Sequence, residues 1–301
     1  MSPAWRTYAL LLLVACGGDR APGKDTVLVD ELPPEDPSLP ARVSTWNRSA
    51  GDFFAVRSEN GTQSYIVNPA YGDAQALDTL TAAEWNVEGS SLVLLDGAQI
   101  VGTGRITDFH YDSTCAGWPT ATLVSETAPS APWRVAFPEG RVEGLPFDSL
   151  PALTSADSAE RARSGALAAS RLPDDTLSAF RGRPFAVRQA HRVTIAADTI
   201  VTVFEVVRLV AQEANPLQEQ LFIVTEEGPG REPAGVFHRR EVGAEEKMGS
   251  VELLGPVRVR SSGRIALLVR RERESGLTFE WIERTPRGAW VIRWRSATDS
   301  C

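Results

Sequence analysis

Apolar and polar residues alternate along much of the chain with a period of two, the spacing that turns one face of an extended strand toward a core. Asp52–Arg57 "DFFAVR" and Gln63–Val67 "QSYIV" flank Asn60-Gly61, a strong hairpin signal. Ser91–Leu95 and Ala98–Val101 surround a second tight turn at Asp96-Gly97, and Thr120–Val124 and Trp133–Phe137 read as further short strands. After Pro184 the runs lengthen. "AVRQAHRVTIAADTIVTVFEVVRLV" predicts two long strands joined near Ala197-Asp198, followed by Leu217–Thr225 and Glu252–Arg260. The tail reads as a meander: "GRIALLVRRERE", a turn at Ser275-Gly276, "LTFEWIER", a turn "TPRG" and "AWVIRWRS". Strands joined by turns this short must be antiparallel.

One segment breaks the alternation. Between Pro146 and Pro173, "LTSADSAERARSGALAAS" is rich in Ala, Leu and Arg, with Ser and Asp near its start to cap free amides. It predicts a helix over Leu153–Ser170, thinly packed on a sheet or joining two parts, with Gly165 costing about 1 kcal/mol relative to Ala. "DTLTAAEW" around Trp85 can form a short helix, and "TVLV" at 26–29 a short strand. The predicted class is therefore mainly β: antiparallel strands and meanders closing as sandwich, barrel or propeller-like blades, with one connecting helix. Residues 43–145 form an N-terminal β part, 146–173 the helical connector and 174–301 a C-terminal β part. "LLDGAQIVGTGRI" (Leu94–Ile106) and "LLGPVRVRSSGRI" (Leu253–Ile265) echo each other without gaps, a hint of two related β units.

The amino-terminal pattern is different in kind. A single Arg6 precedes the oily run Tyr8–Val14, which ends at Ala15-Cys16 and Gly17-Gly18. That layout is a secretory signal over 1–15, and the run is too short for the roughly 20 residues a membrane helix needs. Leu13-Val14-Ala15-Cys16 resembles the lipobox of bacterial lipoproteins. The resemblance covers the targeting segment alone. It implies cleavage between Ala15 and Cys16, a diacylglycerol thioether on Cys16 and acylation of the new amino terminus. Each buried methylene is worth about 0.8 kcal/mol, so several chains hold far more firmly than one. Gly17 stands where lipoproteins kept in the inner membrane usually carry Asp, which favours the outer membrane in a Gram-negative envelope. Residues 16–42 follow as a Pro-rich tether with little apolar surface to offset ordering entropy. The expected location is export to the cell envelope, with the membrane as a partner through the lipid anchor.

Composition sets bounds on the body. At 43% apolar residues the chain can bury a core, and its net charge of −8 comes with no basic tract. Duplex nucleic acid requires a clustered positive face, so it is not an expected partner. Two cysteines remain after Cys16, namely Cys115 and the last residue, Cys301. In an oxidising compartment they are expected to bridge, against the alternatives of free thiols or an intermolecular bond.

Candidate chemistry is sparse. The three histidines, His110, His191 and His238, lie far apart, and no zinc, EF-hand, GxSxG or SxxK pattern occurs, so neither a metal nor a cofactor is expected. "DFHYD" puts Asp108, His110 and Asp112 at alternate positions, read first as a solvated strand face and second as a polar site. His191 reads as structural, "VGTGRI" as a hairpin turn and "RRERE" (Arg270–Glu274) as a solvated strand end that blunts edge pairing. The tryptophans read as core, with Trp290 and Trp294 on one face with Ile292, and Trp118 in a tucked turn beside the expected disulfide. No catalytic residue stands out. The leading functional expectation is a non-enzymatic binding or accessory module for a protein or glycan ligand. The alternatives are a hydrolase with non-contiguous carboxylates and a structural spacer.

Overall fold

Where the sequence alternates, the structure pairs strands. The computed structural model describes residues 46–58, 63–70, 87–111, 117–125, 129–149, 155–173, 177–210, 216–228 and 234–299, all within the unit Pro37–Cys301. Ala15, Cys16, Asn60-Gly61, Trp85, Asp112, Cys115, Cys301 and the stretch 26–29 lie outside those residues.

The first six strands are β1 (Phe54–Arg57), β2 (Ser64–Val67), β3 (Ser91–Asp96), β4 (Gln99–His110), β5 (Thr120–Val124) and β6 (Val135–Pro138). They close into an antiparallel barrel in the order β1-β2-β5-β4-β3-β6. The predicted turn after Asp96 joins β3 to β4. β4 then continues well past Val101, so "VGTGRI" is mid-strand rather than a turn.

The chain leaves the barrel through two three-residue strands, β7 (Val142–Gly144) and β8 (Phe147–Ser149), each of which edges a different sheet. Gly144 is required there. A Cβ on it would stand 2.0 Å from the carbonyl oxygen of Gly97, so no larger residue could pass the β3–β4 turn.

The remaining strands are β9 (Ala186–Ala196), β10 (Thr199–Val210), β11 (Leu217–Glu227), β12 (Ala234–Ala244), β13 (Ser250–Val259), β14 (Ile265–Arg273), β15 (Gly276–Arg284) and β16 (Trp290–Arg295). They form two antiparallel five-stranded sheets, β12-β11-β10-β9-β8 and β16-β15-β14-β13-β7. The expected mainly β, antiparallel class is what the structure has, as a barrel joined to two facing sheets. β12 carries no alternating apolar signal in "AGVFHRREVGA", and the sequence reading missed it.

The layers follow from which side chains cluster. Helix α1 (Ser155–Ser170) lies on the outer face of the β9–β12 sheet, where Ala169 packs with Ala190, Phe204, Val206, Leu221 and Ile223. Gly165 makes this approach possible, because a Cβ there would meet the Phe204 ring at 2.7 Å. The inner face of that sheet meets the β13–β16 sheet through Val201, Val203, Phe222, Val224, Leu267, Val269 and Ile282. The opposite face of β13–β16 packs on the barrel in an aromatic cluster of Trp46, Phe54, Phe137, Phe279, Trp281 and Trp294. Trp46 stands edge-on to Trp281 at 4.6 Å and to Trp294 at 5.4 Å, and Phe54 stacks on Phe137 at 5.7 Å. The β13–β16 sheet is thus covered on both sides, which is why successive residues of β14 and β15 are buried.

Two local readings change. In the β15–β16 ladder Trp281 opposes Trp294 while Ile282 opposes Ile292, so Arg293 is an extra residue. That bulge turns Trp294 to the barrel while Trp290 and Ile292 face the other sheet, and the two tryptophans do not share a face. A second bulge after Thr107 puts Asp108 in the left-handed region (φ 48°), yet Asp108 and His110 both stay exposed while Phe109 and Tyr111 pack against the core. The echoing stretches also fold differently. Leu94–Ile106 spans the β3–β4 hairpin, whereas Leu253–Ile265 runs along β13 and reaches β14 only at its last residue.

Candidate functional site

Along the facing sides of the two sheets the side chains change character from one end to the other. β10 runs Val201, Val203, Glu205; β14 runs Leu267, Val269, Arg271, Arg273; β11 read backwards runs Val224, Phe222, Gln220, Gln218. β12 adds Arg239 and Glu241, β15 adds Glu280 and β16 adds Arg295. One end of the inter-sheet layer is therefore charged, although the middle is apolar.

Glu280 is the hub. It is fully buried, and its carboxylate accepts from Arg271 Nε at 2.9 Å, from Arg295 Nε at 2.9 Å and from Arg239 Nη1. Burial by itself would raise its pKa, but the three guanidinium groups outweigh it and hold the carboxyl at about 2. Glu241 Oε1 bridges Arg271 Nη1 at 2.9 Å, Arg239 Nε at 3.0 Å and Arg273 Nη2 at 2.5 Å. Arg271 is only 3% exposed and lies 5.6 Å over the Phe222 ring. "RRERE" is therefore not a solvated end: Arg271 is interior, Arg270 turns to the other face to meet Glu252 at 2.9 Å, and β14 lies in the middle of its sheet.

Glu205 faces the same layer in a different environment. It accepts from Gln220 Nε2 at 2.7 Å, and Arg188 is 3.9 Å away. Here burial prevails over Gln220, Arg188 and Arg271, and the carboxyl is pushed up. Arg188 Nη2 donates to Gln218 Oε1 at 2.6 Å. Two carboxylates with opposite shifts thus share Arg271 as a neighbour.

A second buried network lies on the helix side of the β9–β12 sheet. Glu219 accepts from Arg208 and faces Arg240 Nε at 2.9 Å, while Arg208 sits 4.4 Å over Phe185 and 5.7 Å over Phe180. This clamps Phe180 and Phe185 onto the sheet.

The residues singled out in the sequence fall elsewhere. Asp108 and His110 are exposed, and among the described residues no group of three or more His, Cys, Asp or Glu side chains is placed to hold a metal ion. The described tryptophans are core or partly buried against it. His191 is buried against Phe147, ring centroids 5.7 Å apart, and burial together with Arg134 lowers its pKa to about 4. No protein-family model matches the chain, and no curated protein or solved structure does.

The signal for the charged layer was present but faint. Glu205 in "VFEVV" and Glu280 in "TFEWI" are lone charges inside apolar runs. A lone charge in a buried strand must find a counter-charge, but its partners come from distant strands that a single sequence does not pair.

His191 gives a measurable pH window. Its folded pKa of about 4 lies below its ordinary 6.5, so the unfolded chain takes up the proton first. Its contribution is complete above pH 6.5 and is lost as pH falls toward 4. Urea titrations of the wild type should therefore lose at most about 3 kcal/mol over that window, and His191→Gln should lose correspondingly less. Equal slopes for the two proteins would refute this assignment.

Proposed function

We propose that the protein is an exported cell-envelope lipoprotein that holds a β body off the membrane and binds a ligand through it. The observation that carries this reading is Leu13-Val14-Ala15-Cys16 at the end of an apolar run too short to span a bilayer, followed by the Pro-rich stretch 16–42. Metabolic labelling with a palmitate analogue should tag the wild type and not Cys16→Ser. Equal labelling of the two would end it.

Binding is favoured over hydrolysis by the state of the two shifted carboxylates. Glu280 is buried and already accepts from three arginines, while Glu205 is held by Gln220. A general acid and base pair needs both groups to reach substrate. Turnover of glycans, peptides or esters by the purified chain would overturn this choice.

A Cys115–Cys301 disulfide belongs to the same reading. Both cysteines lie outside the described residues, but their neighbours meet. The Asp299 carboxylate accepts the Trp118 backbone N–H at 3.1 Å, and Asp299 pairs with Leu277 through two backbone bonds of 2.7 Å. A bridge closing so long a loop removes roughly 5 kcal/mol of unfolded-chain entropy in the simple model, an upper value. A non-reducing peptide map should yield one linked fragment holding both residues; its absence, with both thiols alkylated, excludes the bridge.

A further inference from the structure

We infer that the charged end of the inter-sheet layer is a binding site for a small hydroxy-carboxylate, whose carboxylate meets Arg271 and Gln218 and whose hydroxyl meets Gln220. The inference deepens the binding reading above and does not depend on the lipid anchor.

Three buried polar atoms in this layer have no protein partner: Arg271 Nη2, Gln218 Nε2 and Gln220 Oε1. The other polar atoms of the same side chains are engaged. Arg271 Nε and Nη1 are taken by Glu280 and Glu241, Gln218 Oε1 by Arg188, and Gln220 Nε2 by Glu205. Leaving buried donors and acceptors unmade is costly, and native interiors rarely tolerate several together.

The three side chains meet along one short piece of β11, two of them from that strand and Arg271 from β14. Gln218 and Gln220 are two apart on the same face, so roughly 7 Å separates their backbone positions. Glu241, which Arg271 bonds, lies directly opposite Gln220 in the β11–β12 ladder, and Arg271 also covers Phe222, the next residue on that face. Two donors and one acceptor on these neighbouring side chains call for a ligand with acceptors at one end and a donor at the other. A carboxylate with a neighbouring hydroxyl has that arrangement.

The charge balance selects an anion. Arg188, Arg239, Arg271, Arg273 and Arg295 face this end against Glu205, Glu241 and Glu280, and burial already favours the neutral form of Glu205. A buried guanidinium N–H left without an acceptor draws a negative group more strongly than it orders a water. Access is graded, since the side chains of Arg188 and Arg273 at the rim are 41% and 38% exposed while Arg271 behind them is 3% exposed.

The test is titration of the full-length chain, in non-ionic detergent, with sodium lactate, sodium glucuronate, acetate and glucose at constant ionic strength, read by calorimetry and by thermal midpoint. Lactate or glucuronate should bind saturably at least tenfold more tightly than acetate and raise the midpoint by about 2–4 °C near tenfold excess over Kd. Glucose should do nothing. A preference for lactate names a free small acid, and one for glucuronate an acidic sugar. Gln218→Glu sets a fixed carboxylate beside Arg188 and should keep the fold while losing at least tenfold in affinity, and Gln218→Met should lose about fivefold by removing the donor without adding charge. The inference fails if wild-type protein shows no saturable binding up to tens of millimolar, if acetate matches the hydroxy acids, or if Gln218→Glu binds as well as wild type. Each of those failures leaves the palmitate labelling of Cys16 untouched, so the ligand class and the anchor are judged separately.

Discussion

Replacing Glu280 with leucine should destabilise the protein by about 3–5 kcal/mol, the cost of stripping one partner from a buried ion pair. The carboxylate is fully buried and bonded to Arg271, Arg239 and Arg295, so its loss leaves three guanidinium groups repelling one another between the sheets. Urea unfolding at pH 7 is the measurement. The companion double variant Glu280→Leu with Arg271→Met should recover part of the loss, because an apolar pair of similar volume replaces the buried pair. The pH behaviour has a definite sign. With a folded pKa of about 2 against an ordinary 4.5, the Glu280 contribution is complete above pH 4.5 and is lost as pH falls toward 2. Glu280→Leu should therefore flatten the acid limb below pH 4.5, most clearly below pH 4, where the His191 contribution is already lost. A single-variant cost under 1 kcal/mol, the range of surface pairs, would show that the network is solvated and contributes little.

Trp281→Ala is expected to cost a comparable 3–5 kcal/mol and to lower the thermal midpoint by on the order of 10 °C. Trp281 is fully buried, stands 4.6 Å from Trp46 and 6.3 Å from Phe137, and its indole N–H points to Glu283 at 3.4 Å. It fills the joint between the barrel and the β13–β16 sheet, two surfaces that cannot close together to refill the space. The cavity term should therefore add to the lost transfer energy rather than relax away. Trp281→Phe should retain more than half of the stability. If Trp281→Ala unfolds within 1.5 kcal/mol of wild type, the barrel and sheet do not depend on a shared core.

Much of the fold was readable because strand alternation and turn chemistry are local. Ala197-Asp198 fills the β9–β10 turn as the sequence predicts, the turns predicted at Asp96-Gly97 and Ser275-Gly276 fall one residue away at Gly97-Ala98 and Glu274-Ser275, and the helix ends at Ser170 as expected. The misses have one cause in common. β12 and the tail of β14 look polar because their charges are met by other strands. Arg239 and Arg271 both reach Glu280 on β15, and Arg240 faces Glu219 on β11. Polarity in sequence was read as exposure, but here it is satisfied inside. Likewise the strict alternation of Trp290, Ile292 and Trp294 fails at a bulge, since a single inserted residue reverses facing without altering composition.

The sequence by itself determined the mainly β class, the antiparallel connectivity of neighbouring strands, the place of helix α1 and the motif at Cys16, because each depends on residues within a few positions of one another. Only the tertiary structure decided that the first strands close as a barrel, that the β13–β16 sheet is buried on both faces, and that Glu205, Gln218, Gln220, Arg271 and Glu280 share one layer. Those outcomes rest on which faces meet. A burial pattern states that a residue needs a partner, and the fold supplies the partner from a strand that the local pattern does not specify.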